Sequence, residues 1–258
     1  MIPLIHASFL SHKNSISTLK EESSIQSSKY ISVVQTINSF KELEDKSLKE
    51  QLKRTFKENK KLLHSSFSST PLLEIINVVS IQIKEFEFKD KHISIINTLK
   101  QEVDILICNS YSNTMLIQLI SKKSCHIVCN VFSQDLVNRF DFIHHFNSGI
   151  NHVLSNEMGE KEMMLGVELS IFQNVSEFKQ AKYFSSCIQN SKLATKSKIP
   201  HLLFKIIYSK TDFRTQRELV LIQKALFHAQ PLQIQHQLTY LEQFLETRLK
   251  IKRGELIK

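Results

Sequence analysis

Glycine is scarce in this sequence, with only four residues among 258: Gly149, Gly159, Gly166 and Gly254. Phosphate-binding loops, dinucleotide-binding turns and the sharp turns that carry catalytic serines all need glycine, because the backbone must approach a phosphate closely or adopt a positive φ. The four glycines match none of these patterns. Their positions therefore disfavour a nucleotide-dependent enzyme and a serine hydrolase.

Cysteines and long apolar runs are also limited. The four cysteines, at positions 108, 125, 129 and 187, do not have the spacing of a disulfide framework. No apolar run reaches the ~18–20 residues that a membrane span requires, and the apolar start lacks the basic region and cleavage site of a signal peptide. We expect a soluble, intracellular protein with reduced thiols and no membrane partner. The many Ile, Lys, Ser and Asn residues indicate an AT-rich genome, compatible with a bacterial cytoplasm or a plastid stroma.

The excess positive charge is concentrated in one part of the chain. The whole sequence has a net charge of +9, from 34 Lys and Arg against 25 Asp and Glu. Residues 176–258 contain 15 basic and 6 acidic residues and account for all of it. This asymmetry predicts a domain over residues 30–175 and a basic module over residues 176–258. A flexible, Ser-rich lead-in is predicted over residues 1–29.

Strands and helices alternate in the first domain. VDILICN and CHIVCNVF are continuous apolar runs, typical of strands that are buried on both faces. Stretches with helical periodicity separate them; INHVLSN is predicted as a further short strand and Lys161 to Phe172 as the closing helix. The fold class is therefore α/β, with a parallel sheet covered by helices on both faces. The module after residue 175 is predicted to be mostly α-helical.

The order of these elements resembles a receiver domain of a bacterial response regulator. The segment SGINHVLSNEMGEKEMMLGVELSIF resembles the end of such a domain, and VDILICN resembles the strand that carries the phosphorylated Asp. SVVQTINSFKEL resembles the first strand and the start of the first helix. The resemblance covers residues 31–172. It implies a flavodoxin-like sheet and a role in signal transduction.

On this resemblance, the residues that perform phosphotransfer in receivers are missing. The acidic pair that holds Mg²⁺ is replaced by Gln35 and Thr36, and the acceptor Asp by Asn109, whose amide is a poor nucleophile. The hydroxyl switch residue after the fourth strand of a receiver matches Asn130, and the Lys after the fifth strand matches Asn156. The resemblance thus implies a degenerate receiver, or pseudo-receiver, with no catalysis, metal or cofactor. These five side chains would form a neutral pocket that either holds a small neutral ligand or only satisfies loop backbone.

The basic module contains a candidate nucleic-acid site. Its residues are Lys205, Lys210, Arg214, Arg217, Arg248, Lys250, Lys252 and Arg253. These cations could neutralise several phosphates of DNA or RNA. Alternatively, those near the end of the last helix favour its dipole, with Gly254 as a C-cap.

The last helix also carries a leucine stripe that fits either a homodimer contact or ordinary core packing. Its members are Leu238, Leu241, Leu245 and Leu249. Cys125 and Cys129 lie about 13 Å apart if their strand is extended, which favours buried thiols over a metal site. His144 and His145 are adjacent on a predicted helix and point about 100° apart, which favours a surface pair.

We therefore predict a non-enzymatic regulatory protein. Its α/β domain would contact a protein partner, and its basic module would bind DNA, RNA or a partner, as in transcription regulation. Two alternatives stay open. The first is a scaffold or assembly protein without nucleic-acid binding, and the second is an enzyme or sensor that binds a small neutral ligand at the carboxyl ends of the strands.

Overall fold

The computed structural model describes residues 4–6, 30–67, 74–83, 88–110, 112–131, 148–173, 175–209, 214, 216–227 and 230–256. The strands in these ranges are β1 Leu4–His6, β2 Tyr30–Ile37, β3 Glu74–Ile81, β4 Ile105–Asn109, β5 Ile127–Cys129, β6 Met164–Glu168, β7 His201–Phe204 and β8 Ile206–Ile207. The α-helices are α1 Phe40–Glu44, α2 Leu48–Ser66, α3 Asp90–Glu102, α4 Asn113–Ser121, α5 His152–Glu160, α6 Glu177–Lys196, α7 Gln216–Phe227 and α8 Pro231–Lys252. A short 3-10 helix, Leu169–Phe172, follows β6.

The sheet closes into a barrel. Its strand order is β7-β6-β5-β4-β3-β2-β1-β8, and every neighbouring pair is parallel. Strands β7 and β8 lie at the two ends of this order, yet only Lys205 separates them in the chain. The segment 201–207 therefore pairs with β6 through its first half and with β1 through its second half. This double pairing joins the two edges of the sheet.

Alternating strand residues form two separate apolar layers, because successive side chains of a strand point to opposite faces. In β4, Leu106 and Cys108 pack with buried residues of α2 to α5 in the outer layer. Ile105 and Ile107 belong to the inner layer, which contains strand residues together with Leu245 of α8. The inner layer is the interior of the barrel, which strand side chains fill, and α8 packs against it through Leu245.

Helix α8 covers the opening where the strands begin, which we call the N-terminal mouth. Arg248 Nη2 donates to the carbonyl oxygens of Lys100 and Val103, at 3.2 and 3.0 Å, just before β4. Lys252 Nζ lies 2.6 Å from Asp104 Oδ1, and Arg253 Nη2 lies 2.7 Å from a carboxylate oxygen of Glu74, the first residue of β3. The basic end of α8 is therefore bonded to the starts of two neighbouring strands.

The prediction of an α/β fold with a parallel sheet is confirmed. Helices α1 to α6 contribute to the outer layer, and α8 packs against the inner-layer residues at the N-terminal mouth. The strand order differs from that implied by the receiver resemblance: flavodoxin-like sheets have the order 2-1-3-4-5, whereas here the strands follow one another around the barrel. Local apolar patterns specify strands but not their neighbours, which explains this difference.

Two segments adopt the opposite secondary structure from the predicted one. INHVLSN belongs largely to α5, because Asn151 Oδ1 accepts a hydrogen bond from the Leu154 amide at 2.9 Å and caps the helix. The predicted helix from Lys161 to Phe172 contains β6 instead, in which all five residues are buried. A Cβ on Gly166 would lie 2.5 Å from Cys129 Sγ, so glycine permits close packing inside the barrel.

The predicted domain boundary at residues 175 and 176 falls within this barrel. Strands β7 and β8 come from the second predicted module, and β7 pairs with β6 of the first. Strand β1 comes from the predicted flexible lead-in and pairs with β2 and β8. Residues 7–29 lie outside the described ranges. The sheet thus joins segments of all three predicted regions.

Substitution of Leu245 tests whether α8 is an integral part of the barrel. Leu245→Ala removes a fully buried side chain from the inner layer, so we expect the free energy of unfolding to fall by about 2–5 kcal/mol. Leu232→Ala, at an exposed position of the same helix, should change it by less than about 0.5 kcal/mol. Urea denaturation followed by circular dichroism measures both. A separate early transition in Leu245→Ala would contradict the prediction.

Candidate functional site

The structure does not bring the five predicted pocket residues together. Thr36 and Asn109 lie on inward-facing positions at the carboxyl ends of β2 and β4, by the alternation of each strand. Gln35 lies on the opposite face of β2 from Thr36. Asn156 is in α5, where its Oδ1 accepts from Ser197 Oγ at 2.7 Å. The expected pocket bounded by three asparagines is therefore not formed.

Asn130 has a structural role at the carboxyl end of β5. Its φ is +52°, a left-handed conformation that asparagine tolerates better than most residues. Its Oδ1 accepts from the backbone amide of Glu168 at 3.0 Å. This matches the alternative in which such an amide satisfies loop backbone. The side chain holds the end of β6 beside the end of β5.

A buried charged network lies at the same end of the barrel. Glu168 Oε1 accepts from Ser170 Oγ at 2.8 Å and from the Ile206 amide at 3.3 Å. Lys205 Nζ donates to Ser170 Oγ at 2.5 Å and to Gln173 Oε1 at 2.9 Å. Burial raises the pKa of Glu168, and hydrogen bonds from Ser170 together with the Lys205 charge oppose that effect. This network ties the end of β6 to the segment that closes the sheet.

A small cavity lies between inner-layer strand residues and helices α7 and α8. Its volume is about 40 Å³, enough for a few water molecules. The lining is mostly apolar, and includes Ser32, Gln223 and Gln237 but none of the five predicted pocket residues. The Ser32 hydroxyl is fully buried and has no hydrogen-bond partner in the described part of the chain. Gln223 Nε2 donates to the His201 carbonyl at 3.0 Å and to Gln237 Oε1 at 2.6 Å.

Half of the predicted nucleic-acid site is used to hold the barrel together. Lys205 is buried in the network above, and Arg248, Lys252 and Arg253 bond α8 to the N-terminal mouth. These four cations therefore have bonding partners within the protein. Arg217 and Lys250 are exposed, Arg214 is half-buried, and Lys210 lies outside the described residues.

The leucine stripe of α8 also belongs to the barrel. Leu245 is fully buried in the inner layer, and Leu241 and Leu249 are partly buried against it. Leu238 packs against a neighbouring cluster that contains Leu203 and Leu219. Core packing, the second alternative for this stripe, therefore accounts for its pattern. The homodimer that these leucines were proposed to form would have to separate α8 from the barrel.

Helix α2 carries a basic surface that the regional charge sums concealed. Six of its 19 residues are Lys or Arg and two are acidic. Four lysines recur at every fourth residue, so they lie on one face, with Lys60 beside them. We call this set the α2 lysine ladder: Lys49, Lys53, Lys57, Lys60 and Lys61. Each like-charged pair at this spacing destabilises a helix by about 0.2–0.5 kcal/mol.

Carboxylates neutralise only the first half of the ladder. Lys49 Nζ lies 2.5 Å from Glu102 Oε1, and Lys53 Nζ lies 3.5 Å from Glu50 Oε1. Across the described ranges, Lys57, Lys60 and Lys61 make no ion pair. All three side chains are exposed. The second half of α2 is therefore an uncompensated cationic surface.

The cysteines are buried thiols, as predicted, and all four are free. Burial raises the pKa of Cys108, Cys129 and Cys187. Among the residues that the structure describes, no group of three or more His, Cys, Asp and Glu side chains could hold a metal ion. No helix in these ranges is long and apolar enough to cross a membrane. His144 and His145 lie outside them.

His126 lies at the N-terminal mouth, beside α8 and its positive charges. Its Nδ1 accepts from the Leu106 amide at 2.9 Å, and its ring meets Phe244 of α8 edge-on, with centroids 5.4 Å apart. Burial lowers the pKa of His126 to about 2, and the nearby positive charges of Lys100 and Arg248 act in the same direction. The imidazole is therefore held neutral.

No protein-family model matches this sequence, and no curated protein is significantly similar to it. Its structure is similar to a chain in the cryo-EM structure of archaeal ribonuclease P with mature tRNA. The TM-score is 0.72 at 14% identity, over 100% of this chain and 95% of that chain. A crystal structure of an uncharacterized protein gives a TM-score of 0.52 at 7% identity, over 96% of this chain and 74% of that chain. These similarities show a shared fold.

The neutral state of His126 predicts a specific loss of stability in acid. Below a pH of about 6.5 the unfolded imidazole binds a proton, while the folded one stays neutral to a pH of about 2. Folding then releases a proton, so the free energy of unfolding falls by up to about 1.4 kcal/mol per pH unit as the pH is lowered. His126→Asn keeps an acceptor near the Leu106 amide and should remove this part of the slope.

Urea denaturation at several pH values between 4 and 7 measures the effect. His236→Asn is the matched control for the loss of an imidazole, because His236 is exposed on α8. We expect the control to retain the wild-type slope. Equal slopes in wild type and His126→Asn would show that His126 does not titrate as the structure indicates.

Proposed function

We propose that this chain is a non-catalytic protein that binds structured RNA, in a role similar to that of the ribonuclease P chain that it resembles. The observation that carries the proposal is the extent of the structural similarity, which covers 100% of this chain and 95% of the other. The alignment therefore spans the closing segment 201–207 and helix α8, as well as the repeated strand-helix units. These two features distinguish this barrel from an open α/β sheet.

The charge of the chain supports an RNA partner. Its net charge is +9 and its isoelectric point is about 9.3. Basic proteins bind nucleic acids largely through the phosphate backbone, because neutralising phosphates releases condensed counterions. The predicted basic site of the C-terminal module contributes less than its sequence suggests, since four of its cations are bonded internally. Exposed lysines elsewhere would supply the remaining contacts.

The non-catalytic part of the proposal rests on how the polar groups at the carboxyl end of the barrel are used. Active sites of α/β barrels lie at this end. Here Asn130 bonds to the Glu168 amide, and Ser170 connects Glu168 with Lys205. These bonds hold the closing segment against β6. Barrel closure therefore accounts for these polar groups, and no substrate is needed to explain them.

Fluorescence anisotropy with a folded, end-labelled tRNA tests the proposal on the full chain. We expect saturable binding that weakens steeply with salt, with log K falling by about 0.9 per phosphate neutralised for each tenfold rise in salt. An unstructured RNA of the same length and a DNA duplex are the comparison ligands, and we expect weaker binding to both. Incubation with the tRNA should leave the RNA intact.

Three results would overturn the proposal. The first is no tRNA binding beyond that of an acidic control protein. The second is binding that does not respond to salt, because phosphate contacts require such a response. The third is cleavage of the tRNA by the chain alone, lost in Glu168→Gln, which would make the carboxyl end of the barrel catalytic.

A further inference from the structure

We propose that the second half of the α2 lysine ladder, Lys57, Lys60 and Lys61, contacts the phosphate backbone of the bound RNA. This inference rests on the proposed function and assigns it to a surface. The three side chains lie within one and a half turns of a helix, and all are exposed. With Lys49 and Lys53 they form a row that spans about 18 Å along the helix axis.

The helix that presents these lysines is firmly attached to the barrel. Leu52, Phe56 and Leu63 of α2 are buried in the outer apolar layer. At the other end of the row, the Lys49 ion pair with Glu102 ties α2 to the end of α3. The backbone that carries the lysines is therefore fixed before any ligand binds. A fixed row of cations loses less conformational freedom on binding than a flexible basic segment.

Local helix stability does not account for the row. Lysines at every fourth residue repel one another, and the helix dipole favours cations only within the last turn. Lys57, Lys60 and Lys61 all precede that turn, which ends at Ser66. Within the described ranges no carboxylate compensates them, although Glu58 lies on the same helix and instead pairs with Arg54 at 3.3 Å. The arrangement fits an external polyanion that supplies the negative charge.

The residue types indicate which part of the RNA is contacted. Lysine binds phosphate as a point charge and does not provide the planar, two-pronged pairing that arginine makes with base edges. The phenylalanine of α2, Phe56, is buried, so it cannot stack on a base. The surface should therefore recognise the position of phosphates and not the base sequence.

A matched pair of triple variants of the full chain tests this assignment with the same labelled tRNA. Lys57→Gln/Lys60→Gln/Lys61→Gln removes three charges from α2. Lys179→Gln/Lys192→Gln/Lys196→Gln removes three charges from exposed positions of α6, which also make no ion pair with described residues. We expect the α2 variant to bind about tenfold more weakly or worse and to lose about 3 from its salt slope, and the α6 variant to change less than about twofold.

A charge-retaining variant separates binding from folding. Lys57→Arg/Lys60→Arg/Lys61→Arg should bind tRNA within about twofold of wild type, because phosphate contact needs the charge. If the wild type binds tRNA and both Gln variants bind it equally weakly, the assignment to α2 is overturned and the proposed function stands. No tRNA binding by the wild type would overturn both. The assignment would also be overturned if the α2 Gln variant bound tRNA as the wild type does but no longer retained an acidic protein that the wild type binds.

Discussion

The pairing of residues 201–207 with both β6 and β1 is the constraint on which the rest of the structure depends. It turns a row of parallel strands into a closed barrel, whose apolar interior needs a cover at the opening where the strands begin. Helix α8 covers that opening, with Leu245 buried against the inner layer. Arg248, Lys252 and Arg253 then bond the helix to the N-terminal mouth. Buried Glu168 and Lys205 secure the closing segment at the opposite end.

Sequence patterns predicted the elements better than their arrangement. Continuous apolar runs correctly indicated β4 and β5, because strands of a parallel sheet are buried on both faces. They failed at α5 and β6, where a short apolar stretch fits either structure. Asn151 caps α5 in the first case, and in the second the segment is buried throughout and pairs with β5 and β7. Barrel closure could not be predicted, since β1 and β8 are too short and too distant in sequence to signal their pairing.

The α2 lysine ladder was missed in the sequence for a different reason. Summing charge over residues 1–175 gave no excess, because the acidic residues of other elements cancelled the lysines of α2. The signal was present at a shorter range, in the lysine at every fourth position of LKEQLKRTFKENKK. Conversely, the basic end of α8 looked accessible in sequence, although its partners are backbone carbonyls and carboxylates of distant strands. Regional charge describes a surface only where the cations are not already paired.

The pairing of β1 with β8 also determines when this protein can fold during its synthesis. Strand β1 is made about 200 residues before β8, and this edge stays without its partner until residue 207 has left the ribosome. Exposed strand edges pair readily with other chains, and contacts of such sequence separation form slowly. Nascent chains therefore carry an open sheet edge while the residues between β1 and β8 are made, the state in which chaperones would protect them from aggregation.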